Sequence, residues 1–362
     1  MLFHVLLTGE CDLHCRYCGG FGDMVPKNVT YAVDELRHFV EKDPEPYIAF
    51  YGGEPLLRTR LMKEIMDTVP AKAFMLQTNA MKLKQLEPEY VKRFHTILVS
   101  IDGRRTTTDY YRGVGTYDKV IENVKWVRDI GFPGDLVARM AVSEHSVIFE
   151  EVSHLLDIIY KDRRLFDNVH WQLDVFWSGE EWNDLDGWIN KRYNPGITRL
   201  IERWVGRMQQ GDGVEGIVPF KAIMGALLAG RKVRMWCGAG RDAFAIMPDG
   251  RVLSCPICPE FEFAQVGELR TSSPNTIRNL VDVEDPCLEC DLLDICGGRC
   301  LFANKARLWG EEGYKKVCGT VRHLITELRR VKPTIEDLIK KGTVDKKAFA
   351  YPEVNNGCEI IP

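Results

Sequence analysis

The sequence predicts an α/β protein: an open, partial (βα)6 barrel of the TIM type followed by a cysteine-rich domain. Two observations predict it. β-rich runs alternate with amphipathic stretches through about residue 215, and the cysteines crowd into two regions far apart in the chain. A length of 362 residues, more than twice a typical domain of ~150, leaves room for both parts.

The predicted strands run from Phe3 to Thr8, Tyr47 to Tyr51, Ala73 to Thr78, Thr96 to Ser100, Leu136 to Val142 and His170 to Phe176. Helices fall between them, for instance Tyr31 to Glu41 behind a Thr30 cap and Tyr117 to Arg128 behind Thr116. In such a barrel the active site lies on the loops at the C-terminal ends of the strands. Residues 178–196 read as an irregular excursion, followed by helical stretches at about 197–209 and 217–229. Short strands around Asp242 to Met247 and Arg251 to Ser254 flank a Pro248-Asp249-Gly250 turn. The predicted division is a barrel over 1–215, a helical linker over 216–232, a cysteine-rich domain over 233–325 and a tail over 326–362.

With 45% apolar and 28% charged residues the chain has the composition of a globular protein with a sizeable core. Forty-eight basic against 52 acidic residues give a net charge of -4, which offers no field for a phosphate backbone, so nucleic acid is not an expected partner. No apolar run reaches the roughly 18 to 20 residues that span a bilayer, and no leader precedes Cys11, which reads as a cytoplasmic protein without a membrane partner. Twelve cysteines without a secretion signal point to metal rather than to disulfides.

The first cluster is Cys11-x3-Cys15-x2-Cys18, three thiols on one tight loop directly after strand one. Soft sulfur ligands at this spacing select zinc or iron–sulfur chemistry. A structural zinc site calls for a fourth ligand, which His14 inside the loop is poorly placed to supply, whereas three ligands on a four-iron cubane leave one iron open. Further along, Gly52-Gly53-Glu54-Pro55, Gln77-Thr78-Asn79-Ala80 and Ser100-Ile101-Asp102-Gly103 stand at the ends of strands two, three and four. In that order these segments resemble the radical S-adenosylmethionine (SAM) superfamily.

The resemblance implies a [4Fe-4S] cluster on Cys11, Cys15 and Cys18, with SAM bound beside it. Gly52, Gly53 and Glu54 belong to the segment that holds the methionine amine, and Asn79 and Asp102 to the other cofactor-facing segments. Tyr17 would contact the adenine side, Ser100 the ribose, and Leu173 the adenine face. Arg112 would take the methionine carboxylate, with Arg139 on strand five as its competitor. The implied chemistry is reductive cleavage of SAM to a 5′-deoxyadenosyl radical that abstracts a substrate hydrogen, fed by an external electron donor such as ferredoxin or flavodoxin.

The second cluster contains Cys287-x2-Cys290-x5-Cys296-x3-Cys300, with Cys237 and Gly250-x4-Cys255 upstream and Cys318 downstream. Alone it reads equally as a zinc ribbon. After such a core it resembles the SPASM domain, which binds two auxiliary [4Fe-4S] clusters in peptide-modifying members and brings the total to three. The resemblance implies Cys237, Cys255 and Cys300 for one cluster and Cys287, Cys290, Cys296 and Cys318 for the other. Cys258, in a C-x2-C with Cys255, is the favoured eighth ligand; Cys358 and an open site are the alternatives. Where sulfatase maturases of this group carry an aspartate base, this chain has Pro256, which weakens that particular reading.

The implied function is oxidative modification of a peptide or protein side chain, by thioether formation, carbon–carbon cross-linking or a related maturation of a ribosomal peptide, as in archaeal or anaerobic maturases. A small-molecule reaction in cofactor biosynthesis and a non-catalytic iron–sulfur or zinc module are the other readings. Four of the eight tryptophans, Trp171, Trp177, Trp182 and Trp188, are expected either to line a peptide groove or to pack the open side of the barrel. His170 and Asp174 are candidate bases or anchors. Cys358 is expected in an exposed, frayed tail, with a fold-back that makes it a ligand or proton donor as the alternative.

Overall fold

The computed structural model describes residues 1–174, 182–352 and 354–362, so Trp177 lies outside the described residues. Five parallel strands, β1 (Leu2–Leu6), β2 (Tyr47–Tyr51), β3 (Ala73–Thr78), β4 (Phe94–Ser100) and β5 (Asp135–Val142), pair in sequence order. A small hairpin of β6 (Ile159–Tyr160) and β7 (Arg163–Arg164) intervenes, and β8 (Asn168–Leu173) then adds parallel to β5. These are the six strands the sequence predicts, and their likeness to solved structures described below is that of a partial (βα)6 barrel.

The sheet does not stop at the cysteine-rich region. β9 (Ala243–Ile246) pairs parallel with β1 on the edge away from β2, and β10 (Arg251–Leu253) and β11 (Gln265–Glu268) continue it antiparallel into one nine-stranded sheet. The short strands expected for a separate domain thus complete the barrel sheet, because β9 caps the edge that β1 would otherwise leave unpaired. The Pro248 to Gly250 turn holds as expected, with Gly250 at a φ of 93° that favours glycine.

Strand alternation separates two faces. Phe3, Val5, Ile48, Phe50, Leu76 and Ile97 are buried in the main apolar core. The opposite register carries Tyr51, Met75, Ser100, Asp135, Arg139, His170 and Gln172, which is the inner surface.

Two helix caps differ from expectation. The first helix runs Val33–Val40, and Thr30 instead donates from both its backbone and its hydroxyl to the Pro248 carbonyl, tying the helix entry to the β9–β10 turn. The helix Thr116–Asp129 is capped by Asp109, whose carboxylate accepts from the Gly115 and Tyr117 backbone. A carboxylate reaching across from the preceding helix satisfies these orphan donors in place of the local threonine.

The helices Asn194–Gln209 and Val218–Ala229 agree with the sequence reading, and the last helix runs unbroken from Gly310 to Lys340 through Pro333. The tail that follows is not frayed. Val354 packs on Leu2, Ala49, Met75 and Ala243 near the N-terminal ends of their strands, Asn356 donates to Asp135 at 2.7 Å, and Cys358, Ile360 and Ile361 are buried. The tail therefore lies against the inner surface. The turn expected at Asn355-Asn356-Gly357 forms, and the branched apolar side chains of Ile360 and Ile361 beyond it supply the burial that holds the end down.

Candidate active site and metal centres

The cysteine loop leaves β1 and is braced on both sides. Gly53 and Glu54 donate backbone bonds to the carbonyls of Thr8 and Glu10 at 2.9 and 2.8 Å, so the β2 end lies directly against the loop. A Cβ at Gly52 would meet the Thr8 carbonyl oxygen at 2.4 Å, and one at Gly53 the Glu10 carbonyl oxygen at 2.1 Å, which is why two glycines stand there. Glu54 is fully buried and accepts from Leu56 N, Thr78 Oγ1 and Asn79 N at 2.7 to 3.0 Å, stitching the ends of β2 and β3 together. Burial outweighs these donors and pushes its carboxyl up to about 7. Asn79 reaches the loop itself, donating to Asp12 at 2.7 Å and pointing the same amide at the Cys11 sulfur, 3.8 Å away.

On the other side, Tyr17 donates to Asp102 Oδ2 at 2.8 Å, and Arg112 grips both Asp102 oxygens at 2.8 Å while its guanidinium lies 5.5 Å from the Tyr17 ring centre. Arg112, one of the two arginines named for the methionine carboxylate, is thus engaged by a carboxylate of the chain itself. So is the other: Arg139 Nη2 donates to Glu359 Oε1 at 2.7 Å. Ser100 stands beside Arg139 in the β4–β5 register, half-buried on the inner surface. Leu173 alternates away from His170 and Gln172 and lines a small apolar pocket with Asp174, Trp182, Leu185, Trp188, Ile189, Trp309 and Val317.

The three catalytic candidates do not meet. His170 is fully buried, held below its ordinary range by burial, and has Nε2 3.9 Å from Glu359 Oε2. Asp174 accepts from Ser143 Oγ at 3.0 Å at the strand end. Cys358 is buried beside Tyr351, whose hydroxyl points at its sulfur 3.8 Å away, and burial pushes the thiol far up. The aromatic cluster is mostly packing: Trp171 donates to Tyr193 at 2.9 Å inside the core, and Trp188 stacks on Tyr193.

All twelve cysteines are free thiols. In the C-terminal region they fall into two sets by electrostatic reach. Cys237 is acted on by Cys255 and Cys300, Cys300 by Cys255, and Cys255 by Cys258; Cys318 is grouped with Cys287, Cys290 and Cys296. Burial raises the thiols of Cys237, of Cys296 to about 12 and of Cys300 to about 11, while Cys255 is raised first by its bond to Cys258 and then by burial. Burying four thiols together without a cation is a poor use of a core, whereas a polycationic iron core displaces those protons and keeps the sulfurs as thiolates. Among the described residues no three His, Cys, Asp or Glu side chains are placed to hold a single metal ion. Thiolates sharing one zinc lie about 3.8 Å apart at bonds of about 2.3 Å, so these sets are not drawn in to that spacing. The groups that act on Cys358 are Arg139, Glu359, Tyr351 and Asp135.

Tyr51, which sequence reasoning passed over, marks where the parts converge. This half-buried residue, whose phenol is raised above its ordinary range chiefly by desolvation, feels Arg139 and Glu359 from the inner surface, Cys18 from the first loop and Cys255 from the C-terminal region. Its place at the end of β2, just before Gly52-Gly53, was the available signal.

Residues 5–153 match the radical SAM superfamily, a span that contains the cysteine loop and the ends of β2, β3 and β4. Over that span the chain is similar to a radical SAM domain. An uncharacterized protein of Methanothermobacter thermautotrophicus is 30% identical over 146 residues, 36% of this chain and 55% of that protein, so the chain spans about half of that relative's length. The mycofactocin maturase MftC of Mycolicibacterium smegmatis is 23% identical over 322 residues, covering 82% of this chain and 77% of MftC. Native anSMEcpe with bound AdoMet and the Cp18Cys peptide superposes with a TM-score of 0.71 at 16% identity over 93% of this chain and 99% of that one. SuiB of Streptococcus suis bound to its precursor peptide SuiA gives 0.54 at 17% identity over 83% and 71%. The radical SAM domain takes SAM and an iron–sulfur cluster. Cys11, Cys15 and Cys18, on one partly exposed loop, are the donor set that fits the cluster. Among the described residues no helix is long and apolar enough to cross a membrane.

Proposed function

We propose that this protein is a peptide-modifying radical SAM enzyme with three [4Fe-4S] clusters, one on Cys11, Cys15 and Cys18 and two in a SPASM-type region. The observation that carries it is the convergence at Tyr51 of the first cysteine loop, the inner surface and the Cys237, Cys255, Cys258 and Cys300 set. That arrangement brings a substrate next to both a radical source and an electron acceptor. Bound there, SAM and the cluster supply a 5′-deoxyadenosyl radical that removes a substrate hydrogen.

The chain's own contribution is positioning. Tyr17, Asp102 and Arg112 fix one side of the cysteine loop, Glu54 and Asn79 fix the other, and the glycines let the β2 end close on it. The tail closes the inner surface from below. The peptide class follows from MftC, anSMEcpe and SuiB, of which the latter two have been solved with peptides. The electrons come from an external donor of the ferredoxin or flavodoxin type.

Anaerobic reconstitution tests this reading. About twelve irons per chain are expected, with 5′-deoxyadenosine formed under reduction. Short peptides encoded beside the gene are the substrates to try, and the expected product has lost two hydrogens. Stoichiometric zinc with about four irons would replace the auxiliary clusters with a ribbon.

A further inference from the structure

Glu359 is the one acidic residue within 354–362, and it is held from several directions. Its Oε1 accepts from Arg139 Nη2 at 2.7 Å, and His170 Nε2 lies 3.9 Å from its Oε2, which is buried without a hydrogen-bond partner. Two bonds beyond it lock the segment in place: Gln172 Nε2 donates to the Ile361 carbonyl at 3.0 Å and Arg299 Nε to the Pro362 carbonyl at 2.8 Å. Arg299 adjoins Cys300 in the chain and is itself buried, so the tail is pinned to the cysteine set as well as to β5 and β8. Yet about a third of the Glu359 side chain is exposed, and its charge is felt by Cys237, Cys255, Cys300 and Tyr51.

We propose that Glu359 is a positioning residue on the barrel's inner surface, on the tail segment that Arg299 ties to the Cys237, Cys255, Cys258 and Cys300 set, and that with Arg139 it fixes the charge that an iron–sulfur cluster held by that set would experience. The inference rests on the auxiliary-cluster reading above. Its physical content is electrostatic. A cluster gains negative charge on reduction, so a nearby carboxylate opposes reduction and a nearby guanidinium favours it. In a poorly solvated interior neither charge is screened as it would be in water, and the ion pair makes each the counterweight of the other.

The pair gives a test with two opposite signs. Wild-type, Glu359→Gln, Glu359→Asp and Arg139→Gln proteins are reconstituted anaerobically, their iron is counted, and each cluster's midpoint potential is measured by a redox titration followed by electron paramagnetic resonance. Glu359→Gln keeps an acceptor for Arg139 but removes the charge, and one auxiliary signal shifts to a more positive potential. Arg139→Gln leaves the carboxylate uncompensated and shifts the same signal to a more negative potential. Glu359→Asp keeps the charge and stays near wild type. The radical-domain cluster and the other auxiliary cluster do not move, and Cys258→Ala identifies the signal that does by removing it. A role confined to docking the tail predicts instead that both neutral variants lose iron or shift in one direction, since both break the same contact. Either result, or unchanged potentials with full iron, overturns the proposal. A wild-type protein without auxiliary iron overturns the cluster reading itself, and this inference with it.

Discussion

Arg112 holds Asp102 by two parallel bonds of 2.8 Å, and both side chains are buried. The same Asp102 carboxylate also accepts from Tyr17 and from the Ala141 backbone, so one ion pair anchors the cysteine loop, the helix Arg105–Arg112 and β5 together. Coulombic attraction to Asp102 raises the guanidinium against the opposing desolvation, which keeps the pair ionised. Removing one partner strands the other charge. Arg112→Ala is therefore expected to cost about 3 to 5 kcal/mol of stability and to slow SAM cleavage at least about tenfold by loosening the loop. Thermal unfolding and a 5′-deoxyadenosine assay read the two effects, and wild-type values in both would remove Arg112 from the loop's support.

Replacing Cys11, Cys15 and Cys18 together by Ala is expected to abolish 5′-deoxyadenosine formation and to remove about four irons, leaving about eight. The three thiols lie on a loop separate in the chain from the C-terminal cysteines, so the auxiliary iron should survive. Cleavage that persists in this variant would contradict the assignment.

Cys258 and Cys358 are expected to behave differently. Cys258 hydrogen-bonds Cys255 and belongs to a four-thiol set, so Cys258→Ala should lose or distort one auxiliary cluster. Cys358 is buried among Arg139, Asp135 and Tyr351, so Cys358→Ala should keep its iron and cost about 1 kcal/mol for the small cavity left. Iron analysis of the two variants decides the eighth ligand; loss confined to Cys358→Ala would reverse it.

Gly53→Ala places a methyl group 2.1 Å from a backbone oxygen that cannot move without the cysteine loop. SAM binding, measured by equilibrium dialysis, is expected to weaken at least about tenfold while the fold persists. An alanine variant with wild-type affinity would show that the loop is freer than this contact implies.

Glu54 carries a pH dependence. Its folded carboxyl, raised by burial from 4.5 to about 7, holds its proton more tightly than the unfolded chain does. The stability this contributes is present below about pH 4.5 and is lost as the pH rises to about 7 and beyond. Glu54→Gln should be less stable at every pH, since Gln has one acceptor oxygen for three donors, but the difference from wild type should shrink between pH 5 and 7.5. Parallel melting curves for the two proteins would refute this.

Much of the barrel was legible because it is local. Alternation and β-branched runs mark β1 to β5 and β8, and the Cys11, Gly52 and Asp102 segments announce themselves by residue type and order, since a tight thiol loop and a glycine-permitted close approach leave few substitutes. The division of the C-terminal cysteines into two sets came from the resemblance to the SPASM domain and not from periodicity within a segment.

What the tertiary structure alone decided is long-range. Arg139 and Glu359 lie 220 residues apart, and no spacing rule joins them. Nothing local says that Asp102 claims Arg112, that Asp109 and not Thr116 caps a helix, or that β9 pairs with β1. The tail is the clearest case: its sequence, rich in turn formers, favours a loose end when read alone, and only the assembled barrel, with Arg139, Gln172 and Asp135 as partners for the tail's polar groups, makes burial of Cys358, Ile360 and Ile361 the lower free-energy state. Patterns within a segment are set by backbone periodicity and are written in the sequence, whereas the partner of a side chain depends on which surfaces folding brings together.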